Sequence, residues 1–387
     1  MYLSVPFCRA KCSFCNFASG VSTADRVADY VRRLCVEIEG ANARAVSLGA
    51  ELPLVVDTVY FGGGTPSLLE PGQIRMIFEV LRRQFDVTRD AEITLEAAPG
   101  QIADDLLEES MRLGVNRVSL GVQSFVDREN TSVGRTHTGD SCLQEITRLK
   151  AKGVKEVAAD LIVGLPYQTR ESWKRSLEVA CSSELTHLSV YLLEIDEGSR
   201  LGREVLGGGA RLHAPAVASD ELAAELYEDA CEFLESNGFS QYEISNLARG
   251  AGHQSRHNRK YWERAPYLGF GLDAHSMLLR ADGSAVRFAN ADELDEYDAD
   301  IGGEVTVVSE REEFEETVFL GLRLNEGLSV ACLNERFCNT WVQDCEERVM
   351  KLAREGLMLV ENERWKLTMR GRLLSSEIFG ELLAVTA

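Results

Sequence analysis

Residues 156–195, EVAADLIVGLPYQTRESWKRSLEVACSSELTHLSVYLLEI, hold a complete strand–helix–strand unit. The apolar run at 156–165 and a second at 187–195 read as strands, and 169–182 between them has helical periodicity. Two strands joined through a helix lie parallel, so this stretch asks for a parallel sheet with helices packed outside it.

The same alternation extends back to the first residue. Apolar runs at 1–6 (MYLSVP), 55–62 (VVDTVYFG), 91–97 (AEITLEA) and 117–124 (RVSLGVQS) are separated by helix-period stretches at 24–44, 71–85, 104–113 and 140–152. Several of these open with Asp, Ser or Pro and close on Gly, the residues that start and stop helices. Six βα units in order predict an α/β fold built on a partial, open (βα)6 barrel in place of a closed eight-fold one. Active residues are then expected just past the strand C-termini.

Beyond the sixth strand, LGGGARLHAP (206–215) reads as a loop or lid before an acidic helix over 218–237. After 240 the pattern changes to short strands. From about 309, EREEFEETVFLGLRL, SVACLNERF and CEERVMKLAREG are helical and precede LMLVENERWKLT, two short strands around a polar turn. That is a winged-helix-like, α+β extension, and its acidic helices favour a packing or interaction module over a nucleic-acid binder. The expected division is 1–200 for the barrel, 201–308 for the lid and short strands, and 309–387 for the extension.

The chain has 387 residues and is 45% hydrophobic, enough for one large α/β domain and a smaller one. A net charge of −21 argues against a general nucleic-acid or anionic-membrane binder and leaves room for a local basic pocket. No apolar run reaches the roughly eighteen residues of a membrane span, and the N-terminus lacks a signal-peptide pattern, so a cytoplasmic location is expected. Of ten Cys, seven are scattered singly and are expected to be reduced thiols.

The other three are clustered. SVPFCRAKCSFCNFAS (4–19) puts Cys8, Cys12 and Cys15 within eight positions. Structural zinc wants four closed ligands, for which a distant residue such as His137 would have to serve as the fourth. A [4Fe-4S] cluster held by three thiolates leaves one iron open to another ligand. YFGGGTPS (60–67) lets backbone approach a ligand closely, or is a plain strand-to-helix turn. It lacks the Lys-Ser/Thr of a Walker A loop, which weakens a phosphate role.

The Cys-x3-Cys-x2-Cys spacing after the first strand resembles the signature of the radical S-adenosylmethionine superfamily. The resemblance implies a [4Fe-4S] cluster on Cys8, Cys12 and Cys15, whose open iron chelates S-adenosylmethionine. Reductive cleavage of that cofactor would give methionine and a 5′-deoxyadenosyl radical. Carried over by motif, the cofactor's contacts are Tyr2 and Phe14 beside the cluster, Gly63, Gly64 and Thr65 at its ammonium, and Glu96, Gln123, Arg135 and Asp160 near successive strand ends. A guanidinium pairs with the methionyl carboxylate, while Gln, Asp and Glu suit the ammonium and ribose hydroxyls.

YEISNLARGAGHQSRHNRKYW (242–262) and YLGFGLDAHS (267–276) narrow the resemblance to the branch holding oxygen-independent coproporphyrinogen III oxidase and the HemW-like haem chaperones. HNRKYW matches the HemW-like pattern. The oxidase has a longer N-terminal arm and a further Cys two positions after the third cluster Cys, where this chain has Phe17. The resemblance implies haem binding through His257, Tyr261 and Trp262, with a buried core His and two buried aromatics as the alternative. Ser255 stands where many relatives carry Cys, and Ser4 where they commonly carry His. The expected function is a haem chaperone that passes haem to recipient haemoproteins, with an electron donor for the cluster and a homodimer on haem binding. The alternatives are a radical enzyme acting by oxidative decarboxylation or methyl transfer, and a zinc-stabilised binding protein.

Overall fold

A computed structural model describes residues 1–299 and 302–383. Strands β1 (Tyr2–Val5), β2 (Val55–Gly63), β3 (Asp86–Ala97), β4 (Arg117–Gln123), β5 (Glu156–Val163) and β6 (His187–Leu192) lie side by side in chain order, every pair parallel. Helices α1 (Ala24–Ser47), α2 (Pro71–Gln84), α3 (Asp104–Arg112), α4 (Asp127–Ser132), α5 (Gly139–Ala151) and α6 (Arg170–Ser182) make the crossovers. The unit at 156–195 shows why. Six of the eight β5 residues are buried, so its apolar run is a strand covered on both faces. Thr169 caps α6 by accepting from the Ser172 amide, and the helix buries Trp173, Ser176, Leu177 and Ala180 on one face.

Helices α7 (Arg200–Leu206) and α8 (Asp220–Ser236) lead to β7 (Ser240–Gln241) and β8 (Asn246–Ala248). Strand β8 adds antiparallel to β6 and β7 to β8. After α9 (Arg256–Trp262), β9 (Gly269–Phe270) pairs parallel to β1 on the opposite flank. The sheet order is β7-β8-β6-β5-β4-β3-β2-β1-β9, with β7 and β9 as its ends, so the barrel is open. Strands β10 (His275–Leu279), β11 (Ala285–Asn290) and β12 (Gly302–Val308), with α10 (Leu294–Asp298) inserted, form an antiparallel sheet.

The extension contains α11 (Glu310–Gly321), β13 (Leu328–Ser329), α12 (Val330–Arg336), α13 (Asn339–Arg354), β14 (Met358–Glu361), β15 (Arg364–Leu367), α14 (Met369–Leu373) and α15 (Ser375–Leu383). Its sheet runs β13-β15-β14, and Phe314, Val318, Leu352 and Trp365 belong to a core there. Apolar residues of 201–308 join the barrel's two clusters: Leu226 and Leu234 under β4 to β6, Leu268 and Phe270 under β1 to β3. Helix α13 starts ahead of the expected 345, through a polar NTWVQD turn that carries little apolar signal. The short helices α4 and α7 are additional to the helices expected from the sequence. No helix among the described residues is long and apolar enough to cross a membrane.

Candidate functional site

The three clustered cysteines line one cavity of about 710 Å3 at the C-terminal end of the parallel strands. Their loop is tied down on several sides. Cys8 N–H donates to the Gly20 carbonyl (2.9 Å), Ser13 N–H to the Val133 carbonyl just past α4 (3.1 Å), and Leu201 N–H of α7 to the Ser13 carbonyl (2.8 Å). The Asn16 amide donates to Asp196 (2.9 Å).

The glycine turn after β2 is stitched to the same loop. Gly64 N–H donates to the Val5 carbonyl (3.0 Å), Thr65 N–H to that of Phe7 (2.7 Å), and the Thr65 hydroxyl to Cys8 Sγ (3.6 Å). A Cβ on Gly64 would stand 2.7 Å from Phe7 N and O and from Val5 O, so only glycine allows this approach. Gly63 holds φ +97°, which also favours glycine.

Successive strand ends supply the polar wall. Glu96, next to last in β3, accepts from the Tyr60 hydroxyl (2.7 Å). Desolvation pushes its carboxyl up to about 7; the Tyr60 and Gly63 hydrogen bonds oppose that rise and Asp160 adds to it. Asp160 of β5 is also raised by desolvation, held back by hydrogen bonds from Ser189 and Ser119 and by the charges of Arg135 and Arg117. Gln123 sits at φ 64° at the end of β4. Gly121 leaves room for its amide and for Arg135, since a Cβ there would meet both side chains at 3.1 Å. The Arg135 guanidinium lies 5.9 Å from the Phe14 ring, and its Nε is buried without a partner.

The donor set fits the implied groups. A cubane needs its three thiolates spread over separate irons around an opening, whereas zinc needs ligands that converge on one point. Here the three thiols share one wall of an open cavity. His137, the distant candidate for zinc, is engaged with the Val122 carbonyl (2.9 Å). Two carboxylates, an orphaned guanidinium Nε and the glycine cradle suit a zwitterionic sulfonium ligand.

Phe14, Gly63, Gly64, Thr65, Glu96, Gln123, Arg135 and Asp160 all line this cavity with the cysteines. Tyr2 does not: it packs behind the turn, with its ring 3.0 Å from where a Gly62 Cβ would stand and its centroid 6.0 Å from that of Tyr60. His257, Tyr261 and Trp262 also lie outside the lining. His257 is 4% exposed, with Nδ1 3.2 Å from the Thr58 hydroxyl and Nε2 3.2 Å from that of Tyr261. Its ring stacks on Tyr60 at 4.9 Å, and desolvation holds the imidazole well below its usual range. In this conformation neither ring nitrogen is free for iron. Helix α9 reaches the cavity instead through Asn258 and its cap Ser255.

Sequence reasoning missed other lining residues. Arg117, Ser119, His187, Ser189 and Tyr191 come from the interior face of β4 and β6; alternation back from Gln123 along β4 was the signal available for Ser119 and Arg117, and no predicted residue on β6 pointed to the other three. Arg323 and Arg372 come from the extension, and no motif marks them. Tyr191 and Leu192 expose 41% and 39% of their surface along the cavity, and Phe17, also lining it, exposes 62%.

Comparison with known proteins shows the family. The Radical SAM superfamily model matches residues 2–180 and the HemN C-terminal domain model residues 308–374. The haem chaperone HemW of Bacillus subtilis (strain 168) is 31% identical over 390 residues, covering 99% of this chain and 98% of that protein.

This chain belongs to the HemW family.

The Lactococcus lactis HemW is 29% identical over 388 residues, covering 99% of this chain and 96% of its own. The Bos taurus mitochondrial radical S-adenosyl methionine domain-containing protein 1 is 31% identical over 398 residues, covering 99% and 87%. The solved coproporphyrinogen III oxidase HemN of Escherichia coli superposes with a TM-score of 0.82 at 24% identity, over 98% of this chain and 89% of that one, and establishes the shared fold. Through its radical SAM part, HemW family membership implies a [4Fe-4S] cluster and S-adenosylmethionine.

Proposed function

We propose that this chain is a haem chaperone of HemW type, holding a [4Fe-4S] cluster, S-adenosylmethionine and haem and passing haem to recipient haemoproteins. One observation carries the reading: a single cavity of about 710 Å3 holds the three thiols, the cofactor residues and an exposed apolar wall at Tyr191 and Leu192. The cluster and cofactor supply one-electron chemistry when bound.

The chain's own residues do the holding. Cys8, Cys12 and Cys15 ligate iron, and Thr65 donates to the Cys8 sulfur. The backbone at Gly63 and Gly64 and the carboxylate of Glu96 take the cofactor's ammonium, Arg135 its carboxylate, and Gln123 and Asp160 its hydroxyls. Phe14 covers this corner against water, and Tyr2 supports the glycine turn from behind. Helix α9 serves haem through Ser255 and Asn258, with His257 and Tyr261 as its packing centre and Trp262 beneath Arg323.

Recipient haemoproteins, an electron donor, a haem-linked homodimer and a cytoplasmic location belong to the same proposal, as does the division at residues 200 and 308. Titrating anaerobically reconstituted protein with haem tests it. Saturable Soret changes, followed by transfer to an apo-haemoprotein, are expected; no saturable binding would overturn it. Incubation with coproporphyrinogen III, S-adenosylmethionine and reductant separates the oxidase, whose product is lighter by two carbon dioxides and four hydrogens, two hydrogens being lost with each propionate converted to vinyl.

A further inference from the structure

The cavity reverses the charge of the chain. Lys and Arg number 41 against 62 Asp and Glu overall, yet Lys11, Arg117, Arg135, Arg323 and Arg372 line the cavity against Glu96, Asp160 and Glu194. Near the cysteine loop the charges compensate, since Arg135 and Arg117 both act on Asp160. Arg323 and Arg372 are two further guanidiniums elsewhere in the cavity, with buried Glu243 set against Arg323.

Both come from the C-terminal extension, Arg323 just past α11 and Arg372 from α14. Arg372 donates to the Gln241 side chain on β7, which in strand order is the opposite end of the sheet from β1 and its cysteine loop. The Arg323 guanidinium stacks on the Trp262 ring at 4.2 Å, which fixes its plane. Its nearest carboxylate, Glu243, is 3.8 Å away, beyond hydrogen-bond reach, and its Nε is buried without a partner. Tyr191 and Leu192 offer exposed apolar surface in the same cavity.

We infer that Arg323 and Arg372 form a carboxylate-binding end of this cavity, taking the propionate groups of a tetrapyrrole whose macrocycle lies on Tyr191 and Leu192. Fixed guanidiniums suit this task because they pair with carboxylates through two parallel hydrogen bonds. The inference rests on the haem-binding reading and gives the extension a ligand-binding role beyond packing. It also explains what HNRKYW does: Trp262 holds Arg323 in place.

The test compares haem with haem dimethyl ester, whose propionates are uncharged, by Soret titration of the cluster-loaded protein. The wild type is expected to prefer haem by about tenfold or more, the scale of a charge-assisted pair. Arg323→Gln/Arg372→Gln should abolish that preference while S-adenosylmethionine affinity stays within about twofold, as expected for sites without shared partners. Equal affinity of the wild type for acid and ester, a comparison that needs no variant to fold, overturns the inference and leaves the haem reading standing. A preference that survives in the double variant overturns it too, and so does a parallel loss of S-adenosylmethionine affinity, which would assign these arginines to the cofactor. If the wild type binds neither haem nor ester, the haem reading itself fails.

Discussion

Glu96 carries a proton question at the centre of the site. Because desolvation raises its carboxyl to about 7, it is largely protonated below that pH and cannot offer a full charge to the cofactor's ammonium. S-adenosylmethionine affinity of the cluster-loaded protein should therefore climb with pH, by about tenfold per unit below 7, and level off above it. Glu96→Gln should flatten the profile, and a flat profile in the wild type would remove Glu96 from that role. Stability moves the other way. The folded value lies above the ordinary carboxyl range of the unfolded chain, so Glu96 stabilises the fold at low pH and loses that contribution as pH rises through about 7. At His257 the motif and the fold diverge. Its two hydrogen bonds and the stack on Tyr60 make His257→Ala a destabilising change of about 2–4 kcal/mol by denaturant titration. Haem affinity should stay unchanged; a large loss would make the imidazole a ligand in another conformation.

At the scale of elements, the two helices that the sequence hid are those that hold the cysteine loop. Helix α4 is DRENTS, with no apolar stripe, and α7 is a seven-residue turn beside a glycine-rich segment. Helix α4 has no hydrophobic period, and α7 has only Leu201 and Val205 one turn apart, too short a pattern for spacing to tell from a loop. Their stability is tertiary: Val133 past α4 accepts from Ser13 N–H, and Leu201 of α7 donates to the Ser13 carbonyl. Asp196 joins the set by accepting from Asn16 and from Ser199 N–H (3.0 Å). Asp196→Ala should loosen the loop and speed loss of cluster iron in air, read as the decay of charge-transfer absorbance, with thermal stability changed by about 1 kcal/mol or less. An unchanged decay would mean that the remaining tethers suffice.

Across the whole molecule, the barrel and the extension share the cavity, and a buried ion pair fixes their register. Arg264, between α9 and β9, donates to Glu316 of α11 at 2.8 Å and to Glu313 at 3.2 Å. Arg287 still pairs with Glu316 and Arg336 with Glu313, so Arg264→Ala leaves neither carboxylate alone and should cost about 1–3 kcal/mol in calorimetry. It should also weaken haem binding more than S-adenosylmethionine binding, because Arg323 and Arg372 ride on the extension. Equal effects on both ligands would argue that the extension supports the whole site. The net charge of −21 excludes a generally basic surface, but it says nothing of how charge is sorted between outside and cavity.

The sequence by itself determined the six parallel strands, the helices that cross over them, the cysteine triplet and the glycine turn. Each rests on a local cause: a hydrophobic period, a cap, a spacing of thiols, or a backbone that only glycine allows. Tertiary structure alone decided that β8 and β9 complete the sheet's flanks, that His257 packs inward while Ser255 and Asn258 face the cavity, and that Arg323 and Arg372 arrive from the far end of the chain. Those outcomes depend on contacts between segments far apart in the chain, Arg264 with Glu316 and Trp262 with Arg323 among them, whose energies leave no periodic mark on the residues that make them.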